Sequence, residues 1–221
     1  MKIAIVGALK IEVERIAESL NDPKTHQFFD SVVYEGMRGE HRIFLTELGV
    51  GKVNAALMTQ RMIDQFDVDA VINTGIAGSL DDDVDLLDTV FSKDIVYHDF
   101  DSGIMKSFAP YTDTFTADET LLQRAIGAVE ALRYPYHVGR IATGDEFVTS
   151  NARKDDIKSR TEALCVEMEG CAVAHTAYRN QIPFLVVRTI SDGANDDAEM
   201  TYDEFSKKAA VNAAELILEM F

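Results

Sequence analysis

The sequence contains little cysteine, proline or positive charge, and each shortage excludes a class of structure or partner. Its two cysteines, Cys165 and Cys171, show no metal-ligand spacing, so we expect reduced, structural thiols. The four prolines are scattered, and no repeat, low-complexity stretch or linker marks a boundary. We therefore expect one domain over residues 1–221, a length at which a single full hydrophobic core is common.

Negative charge predominates, because 38 Asp and Glu residues face 21 Lys and Arg residues and the formal net charge is −17. A field of this sign repels polyanions, which argues against nucleic acid and anionic membranes as partners. Solubility alone would also account for such acidity. The segment MKIAIVGALK has only a short apolar run, so we expect neither a signal peptide nor a transmembrane helix, and a cytoplasmic protein.

Apolar periodicity alternates between strand and helix along the chain. The patterns predict strands at 2–7, 31–35, 42–48, 70–73, 137–142, 163–166 and 184–190, the second and third as an antiparallel pair. They predict helices at 10–20 and 53–66, and capping boxes at 116–119 and 201–204 predict the starts of two more, the first running to about Leu132. Such alternation, with some antiparallel pairing, predicts a three-layer α/β/α sandwich around a central mixed β-sheet.

Polar segments follow several of the predicted strands. Residues 7–12, 73–79, 143–148 and 188–192 come after apolar runs, and we interpret 74–79 as a loop. Segment 166–170 carries two carboxylates where a strand meets a helix. Because ligands bind beyond the carboxyl ends of strands in open α/β folds, we expect these segments to line one crevice.

Three acidic residues in these segments are candidate functional groups. Asp192 follows a nearly uniform apolar run, where burial would raise its pKa and suit it to general acid catalysis. Glu169 opens a helix and could accept hydrogen bonds from a sugar diol, and Glu12 lies one turn into the first helix. Each has an ordinary alternative that local sequence favours: a turn cap, a first-turn carboxylate and a solvated helix face, respectively. Together the three suit hydrolysis of a glycosidic bond, which needs an acid for the leaving group and a base for water.

Common metal and nucleotide motifs are missing. Histidines 26, 41, 98, 137 and 175 have neither H-x-x-H nor H-E-x-x-H spacing, so we expect no metal. Residues 49–52, GVGK, lack the full Walker A spacing, and Gly7 lacks a G-x-G-x-x-G motif. Nucleoside triphosphates and dinucleotides are therefore poor candidates as ligands.

Eight stretches occur in one order across nearly the whole chain: MKIAIVGALKIEVE, ELGVGKVNAA, VINTGIAGSL, YHDFD, ATGDEFV, VEMEGCAVAH, PFLVVRTISDGAN and YDEF. In this combination the chain resembles the methylthioadenosine/S-adenosylhomocysteine nucleosidases of the nucleoside phosphorylase-like superfamily. VEMEG followed by VVRTISD, with an N-terminal GA-x-x-x-E, is the most specific part. The resemblance implies a nucleoside phosphorylase-like fold and a cofactor-free N-ribosyl hydrolase. It would release adenine from 5'-methylthioadenosine, S-adenosylhomocysteine and 5'-deoxyadenosine, in methionine salvage and methyl-cycle recycling.

The resemblance also implies roles for the acidic residues. Asp192, positioned by Ser191, would protonate N7 of the leaving adenine, and Glu12 would orient and deprotonate the attacking water. Glu169, with Met168 and Arg188, would hold the ribose hydroxyls. Further substrate-binding positions follow from the same motifs: Ile76, Gly78, Phe147 stacked on adenine, Val148 reading its polar edge through the backbone, and Tyr202 on the 5' side.

Relatives of this kind are homodimers whose neighbouring subunit closes the 5' pocket. The resemblance therefore implies a homodimer in which Val50 and the loop around Phe108 and Pro110 serve the partner's site. Two positions depart from the family pattern, since Leu9 stands where methionine is common and Ile76 where serine often occurs. Leu9 nearly conserves volume, whereas Ile76 removes a hydroxyl partner near the acid and bears on rate and substrate preference.

Three other functions remain open at this stage. A nucleoside phosphorylase would use the same fold with phosphate in place of water, but Glu12 puts negative charge where bacterial phosphorylases carry arginine. A futalosine-type nucleosidase would share the acid pair and need room for a bulkier 5' group. A noncatalytic purine-nucleoside binder is the third, against which the joint presence of Glu12, Glu169 and Asp192 argues.

Overall fold

The computed structural model describes residues 1–28 and 30–221. Within them, ten strands form one sheet: β1 Lys2–Gly7, β2 Asn21–Phe28, β3 Ser31–Arg38, β4 His41–Glu47, β5 Ala70–Ser79, β6 Thr89–Tyr97, β7 Thr114–Thr116, β8 Tyr136–Thr143, β9 Cys165–Glu167 and β10 Phe184–Asp192. The helices are α1 Lys10–Glu18, α2 Lys52–Phe66, α3 Ser102–Ser107, α4 Glu119–Leu132, α5 Asn151–Thr161, α6 Gly170–Arg179 and α7 Ala198–Glu219. Among the described residues, no helix combines the length and apolar sequence needed to cross a bilayer.

The sheet is mixed and partly closed on itself. Its strand order is β10-β6-β8-β9-β5-β1-β4-β3-β2, β7 pairs with β6, and β10 also pairs with β5, which completes a ring from β5 through β9, β8 and β6 to β10. Strands β1, β4, β5 and β10 are parallel along their shared edges, whereas β2, β3 and β4 form an antiparallel meander. The predicted mixed sheet and the antiparallel pair are thus confirmed.

Helices cover both faces of the sheet, as the three-layer prediction requires. Alternate residues of β1 enter different cores: Ile3 and Ile5 pack with residues of α1, α4 and α7, while Ala4 and Val6 pack with residues of α2 and α6. A strand buried on both faces has no polar side to show, which explains the uninterrupted apolar runs at 2–7 and 184–187.

Several predicted boundaries were wrong. Strand β5 continues to Ser79, so 74–79 is not a loop, and β10 continues to Asp192 because both segments pair with each other in parallel register. The box at 116–119 does not cap α4, since Thr116 belongs to β7 and the Asp118 carboxylate accepts the N–H of Leu121 instead. Helix α7 begins at Ala198, three residues before the predicted box at 201–204.

Other elements were not predicted. Strand β2 is almost entirely exposed and polar, so it carries no apolar alternation, and its pairing with β3 holds it extended. Strand β6 and helix α5 were also missed; α5 has an almost wholly polar sequence with Ile157 and Thr161 as its buried residues. Strand β2 thus owes its conformation to its pairing with β3, whereas β6 has the apolar residues of a buried strand and α5 has Ser150 as its N-cap, two local signals that were overlooked.

Candidate active site

One cavity of about 330 Å³ lies at the carboxyl ends of β1, β5, β9 and β10. Its walls come mostly from the segments predicted to line one crevice, and Val50, Ala194 and Tyr202 lie outside those segments. The lining residues are Ala8, Leu9, Glu12, Val50, Ile76, Ala77, Gly78, Glu146, Phe147, Val148, Val166, Glu167, Met168, Glu169, Ser191, Asp192, Ala194 and Tyr202. Among the residues that the structure describes, the lining includes five carboxylates and no lysine, arginine or histidine.

Most of the predicted site residues meet at this cavity. The lining contains Glu12, Ile76, Gly78, Phe147, Val148, Met168, Glu169, Ser191, Asp192 and Tyr202, together with Val50. Arg188 is not among the lining residues and lies buried beside the cavity floor. Phe108 and Pro110 lie away from the cavity of their own chain, Phe108 largely exposed and Pro110 buried.

The cavity floor rests on a buried ion pair between Arg188 of β10 and Glu167 of β9. The Arg188 guanidinium also donates to Asn73 Oδ1 at 2.5 Å and to the Val187 carbonyl at 3.0 Å. Burial opposes its charge, but the neighbouring glutamates more than offset this, so the pKa of Arg188 is raised. The arginine therefore remains a cation beneath the acidic cavity.

Glu167 accepts hydrogen bonds from four donors within the protein. Its carboxylate accepts from Arg188 and the Thr143 hydroxyl, and from the N–H groups of Glu169 at 3.0 Å and Gly170 at 2.7 Å. These donors join β8, β9, β10 and the start of α6 around one buried group. Glu167 thereby sets the position of Glu169, two residues on.

Glu12 is buried and held by two main-chain donors. Its Oε2 accepts the N–H of Leu9 at 2.8 Å, and its Oε1 accepts the N–H of Ile76 at 3.2 Å. Burial raises the pKa of Glu12, while these N–H groups and Arg188 oppose the rise. The carboxylate keeps lone pairs free toward the cavity and can act as a base.

Glu169 is buried at the N-terminal end of α6, beside the cavity. Its Oε1 accepts the N–H of Gly51 at 2.7 Å, from the loop before α2. Burial, aided by the charge of Glu167, raises the pKa of Glu169 to about 8, against the opposing effects of Gly51 and Arg188. The second carboxyl oxygen has no protein partner within the described residues and can bind a hydroxyl-rich ligand.

Asp192 ends β10 on the opposite wall and is buried. The Ser191 hydroxyl donates to its Oδ2 at 2.9 Å and the Ala194 N–H donates to its Oδ1 at 2.9 Å. Burial raises the pKa of Asp192, although both donors and Lys154 oppose this. A carboxyl group that keeps its proton at a higher pH can serve as a general acid.

Two glycines of β5 make room for these carboxylates. A Cβ on Gly75 would lie 2.8 Å from Glu12 Oε1, and a Cβ on Gly78 would lie 2.6 Å from Asp192 Oδ1. Ile76 also lines the cavity. Its contact with the acidic residues is a hydrogen bond from its main-chain N–H to Glu12. Gly78, rather than Ile76, lies against Asp192.

Apolar and aromatic side chains complete the walls. The Phe147 and Tyr202 rings meet edge to face with centroids 5.6 Å apart, and Phe147 is 44% exposed. Flat, apolar ligand surfaces pack well against such rings. No group of three or more potential metal ligands occurs among the described side chains.

The sequence analysis missed several residues that build the site. Glu167, Thr143, Asn73 and Gly51 hold the functional groups in place rather than carrying an obvious chemical signal of their own. Glu167 was noticed only as one of two acids in VEMEG. Polar residues inside apolar strands, such as Asn73 and Arg188, were the signal that could have revealed this network, because buried polar groups need partners.

Comparison with known proteins agrees with this geometry. Residues 2–221 match the family model described as the phosphorylase superfamily. A 5'-methylthioadenosine/S-adenosylhomocysteine nucleosidase of Staphylococcus epidermidis is 36% identical over 97% of this chain and 96% of its own length. The fold matches the Neisseria meningitidis enzyme of the same name, bound to methylthio-immucillin-A, with a TM-score of 0.94, 33% identity and coverage of 99% and 97%.

A further structural neighbour is named for a different substrate. The futalosine hydrolase of Helicobacter pylori superposes with a TM-score of 0.92 at 31% identity, covering 100% of this chain and 97% of its own. These matches define the class as an α/β N-ribosyl hydrolase of the phosphorylase superfamily. Within that superfamily, the chain belongs to the 5'-methylthioadenosine/S-adenosylhomocysteine nucleosidase family.

The raised pKa of Glu169 makes a prediction about stability. A carboxyl group with a raised pKa binds its proton more tightly in the folded protein, so its stabilising contribution is complete below its ordinary value near 4.5 and is lost as pH rises to about 8. Glu169→Gln, which keeps an oxygen for Gly51, should therefore raise the Tm of the ligand-free protein by several degrees at pH 8 and much less at pH 5. Thermal unfolding at both pH values measures this.

Glu14→Gln is a suitable control, because Glu14 is an exposed carboxylate on α1 paired only with Lys10. It should change the Tm little at either pH. A Glu169→Gln effect of equal size at pH 5 and pH 8 would show that burial does not hold a proton on Glu169.

Proposed function

We propose that the chain hydrolyses the N-glycosidic bond of 5'-methylthioadenosine and S-adenosylhomocysteine, and also of 5'-deoxyadenosine, to give adenine and the corresponding sugar. Residues 1–221 would act as one catalytic domain. The observation that carries the proposal is the cavity lining, in which buried carboxyl groups approach from separate strand ends and, among the described residues, no lysine, arginine or histidine takes part. Family membership supports the substrate class.

Asp192 would supply the proton. Adenine leaves poorly as an anion, so a proton delivered to N7 turns it into a neutral leaving group while the ribosyl ring becomes oxocarbenium-like. The raised pKa of Asp192 keeps that proton available, and the Ser191 hydroxyl and Ala194 N–H then stabilise the carboxylate that remains. The two donors also fix the direction of the acid.

Glu12 would activate the attacking water. Its two carboxyl oxygens are held by the N–H groups of Leu9 and Ile76, so the group is oriented before substrate binds. Glu169 would accept hydrogen bonds from the ribose hydroxyls, with Met168 beside it. Arg188 would act on the ribose through Glu167 and Glu169, since it lies behind the cavity wall.

Phe147 would stack on adenine, with Val148 presenting its backbone to the polar edge of the base. Tyr202, in edge contact with Phe147, would then border the 5' substituent. Phosphate has no counterpart in this scheme, because binding it needs cationic or amide donors and the lining offers five acidic side chains. The reaction is therefore hydrolysis rather than phosphorolysis.

The test is release of adenine in phosphate-free, chelator-treated buffer, with chromatography of both products. The proposal predicts adenine and free methylthioribose from 5'-methylthioadenosine at a rate that added phosphate leaves unchanged. Asp192→Asn should reduce kcat by about 10²–10⁴-fold while retaining substrate binding, because an amide cannot deliver the proton.

Three results would contradict the proposal. Adenine release that requires phosphate, with ribose 1-phosphate products, would assign the chain to the phosphorylases. Turnover of futalosine with none of 5'-methylthioadenosine would reassign the substrate, and calorimetric binding without turnover would make the chain a nucleoside binder.

The same proposal includes a homodimer in the cytoplasm. Val53 and Leu57 lie one helical turn apart on α2, and Val53 is 79% exposed, while nearby Val50 both lines the cavity and reaches the surface. Phe108, 67% exposed, offers a second apolar side chain. Apolar surface of this kind supports burial against a second copy that would close the 5' end of the cavity. The free thiols of Cys165 and Cys171 support a reducing compartment.

Light scattering during size exclusion tests the dimer. The expected mass is twice the chain mass of 24.5 kDa. Val53→Lys should yield monomers with reduced kcat/KM for 5'-methylthioadenosine. The control variant Leu86→Lys changes a partly exposed leucine elsewhere on the surface and should leave mass and activity unchanged. A fully active monomer would show that the partner subunit does not contribute to the active site.

A further inference from the structure

Three charged residues of the quoted motifs have no role in the chemistry proposed above. Lys52 belongs to GVGKV, Asp99 to YHDFD and Asp145 to TGDEF. The fold brings them together outside the cavity. Lys52 Nζ lies 2.6 Å from Asp99 Oδ2 and 3.6 Å from Asp145 Oδ2.

Main-chain hydrogen bonds tie the same residues into a closed cluster. The Lys52 N–H donates to Asp145 Oδ1 at 2.8 Å, and the Asp145 N–H donates to Asp99 Oδ2 at 2.9 Å. Asp99 thus receives both a side-chain and a main-chain donor, whereas Asp145 receives a main-chain donor and the charge of Lys52 at 3.6 Å. The cluster joins the start of α2, the end of β6 and the segment after β8.

Each end of the cluster continues directly into a substrate-binding segment. Gly51, next to Lys52, donates its N–H to Glu169, the proposed ribose ligand. Phe147 and Val148, the proposed adenine contacts, follow Asp145 by two and three residues. The ribose and adenine ends of the site are therefore linked through one half-buried ion pair.

Gly51 shows how tightly the segments fit. Its φ of +94° is a conformation that favours glycine, and a Cβ there would lie 3.1 Å from Asp145 Oδ1. The Lys52 and Asp99 side chains are 22% and 25% exposed, so water screens their attraction less than at an open surface. Although burial opposes it, Lys52 and the Asp145 N–H hold the pKa of Asp99 below its usual value, so Asp99 stays charged.

We infer that Lys52, Asp99 and Asp145 form a positioning cluster that fixes the ribose-binding Glu169 and the adenine-binding Phe147–Val148 segment relative to each other. The inference rests on the proposed function. The three residues touch no substrate and act through Gly51 and the 145–148 segment. Their effect is on alignment, and misplacement of reacting groups by about 1 Å can reduce the rate about 10²-fold.

The first test compares Lys52→Met, Lys52→Arg and Asp99→Asn with the wild-type protein. Lys52→Met and Asp99→Asn should each lower kcat/KM for 5'-methylthioadenosine about 10- to 100-fold, and the double variant should lose no more than about the larger single loss, because both break one cluster. Lys52→Arg keeps the charge and should restore most of the activity. Glu35→Gln is the matched control, since Glu35 is an ion-paired carboxylate on β3, away from the cavity, and it should leave kcat/KM unchanged.

Binding separates this inference from the proposed reaction. Calorimetry in an Asp192→Asn background, which retains substrate binding while turnover is largely lost, should show a much larger loss of affinity for 5'-methylthioadenosine than for adenine alone, because only the nucleoside bridges both ends. This readout remains valid even if the wild-type protein proves not to hydrolyse the nucleoside. Equal losses for both ligands, wild-type kcat/KM in Lys52→Met, or a fall in Tm with unchanged nucleoside affinity would overturn the inference.

Discussion

The buried contact between Arg188 and Glu167 is the interaction on which the site depends. Four of the five carboxylates that line the cavity are buried, and a low-polarity interior would not hold them without a cation nearby. Arg188 lowers the pKa of both Glu12 and Glu169, in opposition to the burial that raises them. It also crosses from β10 to β9 and to Asn73 of β5, so the charge that balances the cavity also holds the ring of strands together.

The acidic side chains of the site are chemically similar, but they lie in different surroundings. Asp192 has hydroxyl and amide donors and no nearby arginine, and burial favours its protonated form. Burial raises the pKa of Glu12 as well, but Glu12 also has two N–H donors and the field of Arg188, and both favour its charged form. An acid and a base can therefore face the same substrate, which is the requirement for protonating a leaving base while activating water.

Much of the fold was predictable because its signals are local. Strands β1 and β10 are buried on both faces, so each contains an apolar run. Helix α1 shows an amphipathic pattern over its nine residues. The ends of β5 and β10 were misjudged because Thr74 and Asp192 are polar, as is Arg188 within β10, and polar residues usually mark loops. Here they are buried in paired strands, where Arg188 is satisfied by Asn73, far away in sequence, and Asp192 by its neighbours Ser191 and Ala194.

The residues of the candidate site were likewise predictable only in part. Glu12, Glu169 and Asp192 could be found because acidic residues at strand ends form recognisable motifs, and the structure brings all three to one cavity. Glu167 and Lys52 could not be assigned, since the function of each depends on partners 21 to 93 residues away. The roles of such residues arise only from tertiary contacts.

The pH dependence of stability in an Arg188→Met variant tests the central claim most directly. If Arg188 opposes the effect of burial on the cavity carboxylates, its loss should raise the pKa of Glu12 and of Glu169 further, so that both retain protons to higher pH. The free energy of unfolding should then fall more steeply between pH 6 and 9 than in the wild type, by up to about 1.4 kcal/mol per pH unit for each extra proton held. Parallel curves for the two proteins would contradict the account.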